Sequence, residues 1–149
     1  MKTNSYKEEF LFYTVPLISS SVQLPLSSDK VNAGFPSPAE NYVEGKLDLN
    51  QLLIKNPPAT FLVKVSGDSM TGAGIYPNDI LVVDRSLEVK SKDIVIAVID
   101  REFTVKRLIK DEDSITLIPA NSKYKPIIIS DTMDFEVWGV VTNVIHSVR

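Results

Sequence analysis

Cysteine is absent from these 149 residues, and histidine occurs once, at His146, close to the C-terminal end. The first absence excludes a disulfide scaffold, a thiol nucleophile and a cysteine-ligated zinc site, and it fits a reducing compartment. The second leaves little for imidazole chemistry, since His146 lies in a terminal apolar run and no acidic partner stands out for it. The six glycines form no phosphate-binding loop. No apolar run approaches the roughly 18–20 residues that a membrane-spanning helix needs. The apolar patch at residues 10–15, behind Lys2, Lys7, Glu8 and Glu9, is too short for a secretory signal. Positive charge is also short, with 16 Lys and Arg against 19 Asp and Glu, a net charge of -3 and a pI near 5.2. Phosphate neutralisation needs a basic face, so direct sequence-specific DNA binding is not expected. The expectation is a cytoplasmic protein with no membrane segment, no cofactor and no metal site.

What is present is a substantial apolar fraction, 44% of the chain, enough for one core with at most a tail. Residues 1–46 carry short apolar patches broken by Pro16, Pro25, Pro36 and Pro38, and read as an extended N-terminal arm. Residues 47–149 read as a folded, mainly β domain. Residues 47–54 have the spacing of a short helix, stopped by Pro57 and Pro58. Short strand-like runs follow at residues 61–65, 80–83, 93–99, 102–109, 114–118, 127–129 and 136–145. Asp100 and Arg101 form a two-residue break that reads as a hairpin, without the glycine that usually favours such a turn. Many short strands with one small helix predict a compact, strongly twisted β domain.

The chain is organised around Ser66-Gly67-Asp68-Ser69-Met70, where a β-type run stops at a glycine and a serine is presented at a turn. A serine placed there is a candidate nucleophile if a base removes its proton. Lys106 is the better base candidate than His146, because it lies among Phe103, Val105, Leu108 and Ile109. Burial penalises the charged form of a lysine. Strand alternation puts Thr104, Lys106 and Leu108 on one face, with Phe103, Val105 and Arg107 on the other. Main-chain N–H groups of Asp68 and Ser69 are the candidate oxyanion donors, since the turn exposes them. Asp68, Asp79 and Asp84 match no metal-ligand spacing and read as turn and strand-end residues. Taken alone, Ser-Gly-Asp-Ser is also an ordinary turn composition, and a strand lysine often faces water.

Beyond the turn, the chain carries Gly74-Ile75, Asp79-Ile80-Leu81-Val82-Val83-Asp84, Phe103-Thr104-Val105-Lys106 and Leu117-Ile118-Pro119. It also carries Asn121, Tyr124, Pro126-Ile127 and Gly139-Val140-Val141. This set resembles the LexA/UmuD family of self-cleaving serine proteases, in register from about Gly34 onward. The resemblance implies a Ser69–Lys106 dyad, and it makes Ala33-Gly34, ahead of Phe35-Pro36-Ser37-Pro38, the self-cleavage site. An Ala-Gly pair lets the backbone come close to an attacking oxygen, and the prolines keep the following residues extended. The 33 residues before Gly34 are too few and too proline-broken for a helix-turn-helix, which favours the UmuD branch over a LexA-like repressor fragment. That branch implies a homodimer in the DNA-damage (SOS) response, whose cleavage is stimulated by a RecA–single-stranded-DNA filament. The shortened form then serves a UmuC-like Y-family DNA polymerase in translesion synthesis, with residues 135–145 as a candidate dimer contact. Two rival readings are a non-catalytic polymerase accessory module and a signal peptidase; the second wants a membrane anchor that the chain lacks.

Overall fold

A computed structural model describes residues 11–14, 21–27, 31, 33–35 and 43–149. Ten strands, one short helix and two 3-10 turns make up the described fold. The strands are β1 (Leu11–Thr14), β2 (Gln23–Ser27), β3 (Val43–Asp48), β4 (Thr60–Lys64), β5 (Ile80–Asp84), β6 (Ile94–Ile99), β7 (Glu102–Lys110), β8 (Ile115–Ile118), β9 (Ile127–Ile128) and β10 (Phe135–Ile145). The helix α1 spans Leu49–Leu53 and is capped by Asp48, whose carboxylate accepts from the Asn50 N–H at 2.8 Å. The mainly β architecture is the one the sequence predicts.

Eight strands form one sheet in the order β1-β4-β5-β10-β6-β7-β8-β9, and β2 pairs with β3 in a separate two-stranded ribbon. All the pairings are antiparallel. β6 through β9 follow one another as a meander, and β10 then returns to lie between β5 and β6. That last strand bends to serve both neighbours, with register shifts between Val137 and Gly139 and between Val141 and Asn143. At Gly139 an added Cβ would lie 2.6 Å from Val83, so this crossing has no room for a side chain. Asp100 and Arg101 take φ of 49° and 69°, so the β6–β7 turn uses left-handed backbone at two non-glycine residues.

Both faces of the central strands are covered. Ile96 and Val105 belong to an apolar cluster with Val63, Met70, Ile75 and Leu81, while Val95 and Ala97 join Leu108, Leu117 and Val140 in another. Neighbouring residues of β6 therefore enter opposite clusters, which is why this strand reads as an unbroken apolar run. Aromatic side chains pack against the first of these clusters. Trp138 meets Phe61 and Phe103 edge-on, at 5.1 and 6.1 Å between ring centroids, and Arg85 lies 4.7 Å above the Trp138 ring.

Two strands, β1 and β2, precede Gly34, where the sequence reading placed none. β1 runs along β4 with Leu11 opposite Lys64, and β2 runs along β3 with Pro25 opposite Lys46. β3 itself crosses the 46/47 division between arm and domain. Proline is tolerated in β2 because this is an edge strand, where a missing N–H need not interrupt a ladder.

Candidate functional site

The segment joining β4 to β5 builds the serine turn. Its base is closed by two hydrogen bonds, from Val65 N–H to the Asp79 carbonyl at 2.9 Å and from Asn78 N–H to the Val65 carbonyl at 2.8 Å. Gly67 turns the chain with φ of 86°, a left-handed conformation that glycine adopts without steric penalty. Three residues on, Met70 is buried in the first apolar cluster. Its carbonyl accepts from the Ala73 and Ile75 N–H groups at 2.9 and 3.3 Å. Ser69 is thus held between a glycine that redirects the chain and a methionine that anchors it. Its side chain faces inward, at 3% exposure.

Lys106 comes from β7, where it sits opposite Val95 of β6, and it is 5% exposed. Its Nζ lies 2.9 Å from Ser69 Oγ, 2.8 Å from Thr104 Oγ1 and 2.9 Å from the Val105 carbonyl oxygen. The contact with Thr104 places both side chains on one face of β7, as the alternation predicts. Of the three partners, only the Val105 carbonyl is restricted to accepting; each hydroxyl can donate or accept. As an ammonium, Lys106 donates to all three. As a neutral amine it can donate to Val105 and Thr104 and turn its lone pair to the Ser69 hydroxyl. The same arrangement accommodates both protonation states.

The chain leaving β8 ties the serine turn to the lysine strand. Arg107 pairs with Ile118, so residues 119 and onward run past Lys106 toward the turn. Ala120 N–H donates to the Ser69 carbonyl at 2.9 Å, and Gly72 N–H donates to the Ala120 carbonyl at 2.7 Å. Asn121 Nδ2 donates to the Asp68 carbonyl at 2.8 Å. The Tyr124 hydroxyl donates to Asp68 Oδ1 at 2.5 Å, and Lys123 Nζ stands 3.7 Å from Oδ2. The Tyr124 bond holds the Asp68 carboxyl below the usual carboxylate range. Partial desolvation opposes this, and the Lys123 charge adds to it.

The other acidic residues singled out in the sequence are structural. Asp79 accepts from the Tyr76 N–H at 2.7 Å, closing its own turn. It also meets His146 Nδ1 at 2.5 Å, so the histidine does have an acidic partner, one 67 residues away in the chain. Asp84 is buried, which pushes its carboxyl up, but Ser86 and Asn56 donate to it and hold it below its ordinary value. Among the described residues no group of three His, Cys, Asp or Glu side chains is placed to hold a metal ion. No described helix is long and apolar enough to cross a membrane.

Of the predicted site residues, the fold brings Ser69 and Lys106 into direct hydrogen bond. Ala33 and Gly34 lie on an exposed bend, with Phe35, in the connection between β2 and β3. Pro36, Ser37 and Pro38 lie outside the described residues. In the sequence Asn121 and Tyr124 are matching positions with no role to read, and Thr104 has none either. Their contacts with Asp68 and Lys106 supply one.

A family profile described as peptidase S24-like matches residues 25–142. The chain is 45% identical over 133 residues to Protein ImpA of Salmonella typhimurium, an alignment covering 84% of this chain and 85% of that protein. It is also 45% identical over 125 residues to Protein SamA of Salmonella typhimurium, covering 84% and 86%. To Protein MucA of Escherichia coli it is 41% identical over 121 residues, covering 80% and 82%.

Proposed function

The chain belongs to the peptidase S24-like family, the serine-peptidase group of LexA/UmuD type to which its motifs point, and from that premise we propose that it is a Ser–Lys protease that cuts itself between Ala33 and Gly34. The observation that carries this reading is the 2.9 Å hydrogen bond between Lys106 Nζ and Ser69 Oγ, made by two buried side chains.

The chemistry follows from that pair. Neutral Lys106 takes the hydroxyl proton of Ser69 as Oγ attacks the Ala33 carbonyl carbon, and a tetrahedral oxyanion forms. The Lys106 ammonium then protonates the Gly34 nitrogen, the peptide C–N bond breaks, and Ala33 remains esterified to Ser69. A water molecule, deprotonated by Lys106, attacks the ester; Ser69 is regenerated and the Ala33 carboxylate is released. Backbone N–H groups at Asp68 and Ser69 are the proposed oxyanion donors. Burial disfavours the ammonium form, but a free lysine with a pKa of about 10.4 is almost wholly protonated near pH 7. Unassisted cleavage is expected to be slow near neutral pH and to climb as the amine is deprotonated. A RecA–single-stranded-DNA filament is the proposed stimulus, acting in the SOS response. The residue 34–149 product then serves as a homodimeric accessory subunit of a UmuC-like Y-family translesion polymerase.

The test is to incubate the purified full chain from pH 7 to 10 and to size and sequence the products. The expected result is a fragment beginning at Gly34, formed at a first-order rate that climbs with pH and levels off above the apparent pKa of Lys106. A chain that stays intact at every pH supports the non-catalytic accessory module instead. A rate that is flat or falls with pH while the fold persists rules out a lysine base.

A further inference from the structure

We propose that Asn121 is a positioning residue for this reaction: its side-chain amide holds the Asp68–Ser69 peptide in the orientation that presents the Ser69 N–H to the oxyanion. The assignment rests on the protease reading above and adds a residue to it.

Its starting point is the Asp68 carbonyl oxygen, which accepts from Asn121 Nδ2 at 2.8 Å, from Thr71 Oγ1 at 3.2 Å and from the Thr71 N–H at 3.4 Å. A peptide unit is planar, and none described here is cis. Fixing the direction of the Asp68 C=O therefore fixes the Ser69 N–H, which points the opposite way. In the chymotrypsin arrangement the nucleophilic serine's own N–H helps to bind the oxyanion, the role proposed above for the Ser69 N–H. A flipped peptide would put the Asp68 carbonyl oxygen in its place and oppose the developing negative charge.

The donor is itself aligned. The Lys123 N–H donates to Asn121 Oδ1 at 3.0 Å, so the carbonyl end of the amide faces Lys123 and the NH2 end faces Asp68. The Asn121 main chain is placed by its neighbour Ala120, which donates to the Ser69 carbonyl and accepts from the Gly72 N–H. An added Cβ at Gly72 would lie 2.5 Å from the Ala120 carbonyl oxygen, so the segment seats only against glycine. The clamp acts on the peptide plane and leaves the Ser69–Lys106 hydrogen bond to other contacts.

The experiment measures first-order self-cleavage of the full chain from pH 7 to 10 for the parent, Asn121→Ala, Asn121→Asp and Thr71→Val, each checked for a native thermal transition. Loss of a direct oxyanion donor costs about 10²–10³-fold. An indirect one should cost Asn121→Ala about 10–100-fold in the plateau rate, with the midpoint of its pH profile unmoved. Asn121→Asp keeps the volume but sets an acceptor against the Asp68 carbonyl, so its plateau should fall below that of Asn121→Ala. A space-filling role predicts the reverse order. Thr71→Val, which removes a weaker donor to the same carbonyl, should lower the plateau by a smaller factor, and it carries the test if the Asn121 variants do not fold. A parental plateau in Asn121→Ala, or in Thr71→Val where that variant carries the test, overturns the proposal, as does Asn121→Asp matching or outpacing Asn121→Ala. A parent chain that is never cut overturns the protease reading itself, and this assignment with it.

Discussion

The serine turn and the bend at Ala33, Gly34 and Phe35 are built by opposite means. Around Ser69 nearly every group is committed: the side chain is buried, the next residue is anchored in the core, and the segment from Ala120 to Tyr124 is hydrogen-bonded across it. The bend is exposed, with Phe35 at 85%, and it belongs to the connection within a two-stranded ribbon outside the main sheet. The lesson is a division of labour between stability and reactivity. Substitutions near the serine turn should act on the fold and on the proposed chemistry together. Substitutions in the bend should act on the chemistry while leaving the fold alone, because exposed positions rarely move stability by more than about 0.5 kcal/mol.

The sharpest way to break that contrast is at the dyad itself. Ser69→Ala should reduce self-cleavage by a factor on the order of 10⁴ or more, measured by fragment yield over days at pH 9–10. Lys106→Arg should fail as completely, since a guanidinium stays protonated and offers no base. Next is Gly34→Glu in the bend. It should abolish cleavage within detection by crowding the approach to Ser69, while the urea unfolding midpoint stays that of the parent. A large drop in that midpoint would show that the bend is part of the core. Third, Gly72→Ala forces its new methyl against the Ala120 carbonyl oxygen. Overpacking of this kind costs about 1–3 kcal/mol, and here cleavage should slow as well, which combined denaturant and rate measurements would reveal.

The smallest expected effect is that of Tyr124→Phe. Removing the hydroxyl deletes the leading influence that lowers the Asp68 pKa, so an NMR titration should show it rising toward the ordinary carboxylate value. A carboxyl held low in the folded state contributes stability above its unfolded pKa and loses it as pH falls through the lowered folded value. Tyr124→Phe should therefore narrow that acid-side loss and leave stability at pH 7 almost unchanged, because Asp68 is exposed to solvent. An unchanged Asp68 titration would show that the Tyr124 hydroxyl is not what holds that carboxyl low.

Local pattern pointed to Ser69 and Lys106 only weakly, and the family resemblance singled the pair out; the structure joins them by a hydrogen bond. A glycine ending an apolar run marks a turn, and alternation along β7 places Lys106 on a buried face beside Thr104. The strands after residue 60 were legible from local pattern, to within a residue or two at their ends. Contacts that depend on chain return were not. Nothing local to His146 indicates Asp79, and nothing local to Asn121 indicates the Asp68 carbonyl. β2 was hidden by Pro25, whose usual reading as a breaker does not hold at an edge, whereas the two-residue β6–β7 turn was legible despite its want of glycine.

The pairing of β1 with β4 and of β2 with β3 has a kinetic consequence. Both early strands lie on the N-terminal side of the proposed scissile bond, and their hydrogen-bonding partners lie on the other. Hydrolysis at Ala33-Gly34 would therefore yield a nicked complex of two fragments, still joined by two backbone ladders. Two clocks would run in succession, one set by the dyad and one by the peeling of β1 and β2 from their neighbours. Only the second clock would expose the edges of β3 and β4, so a denaturing gel and a size-exclusion column would time the event differently.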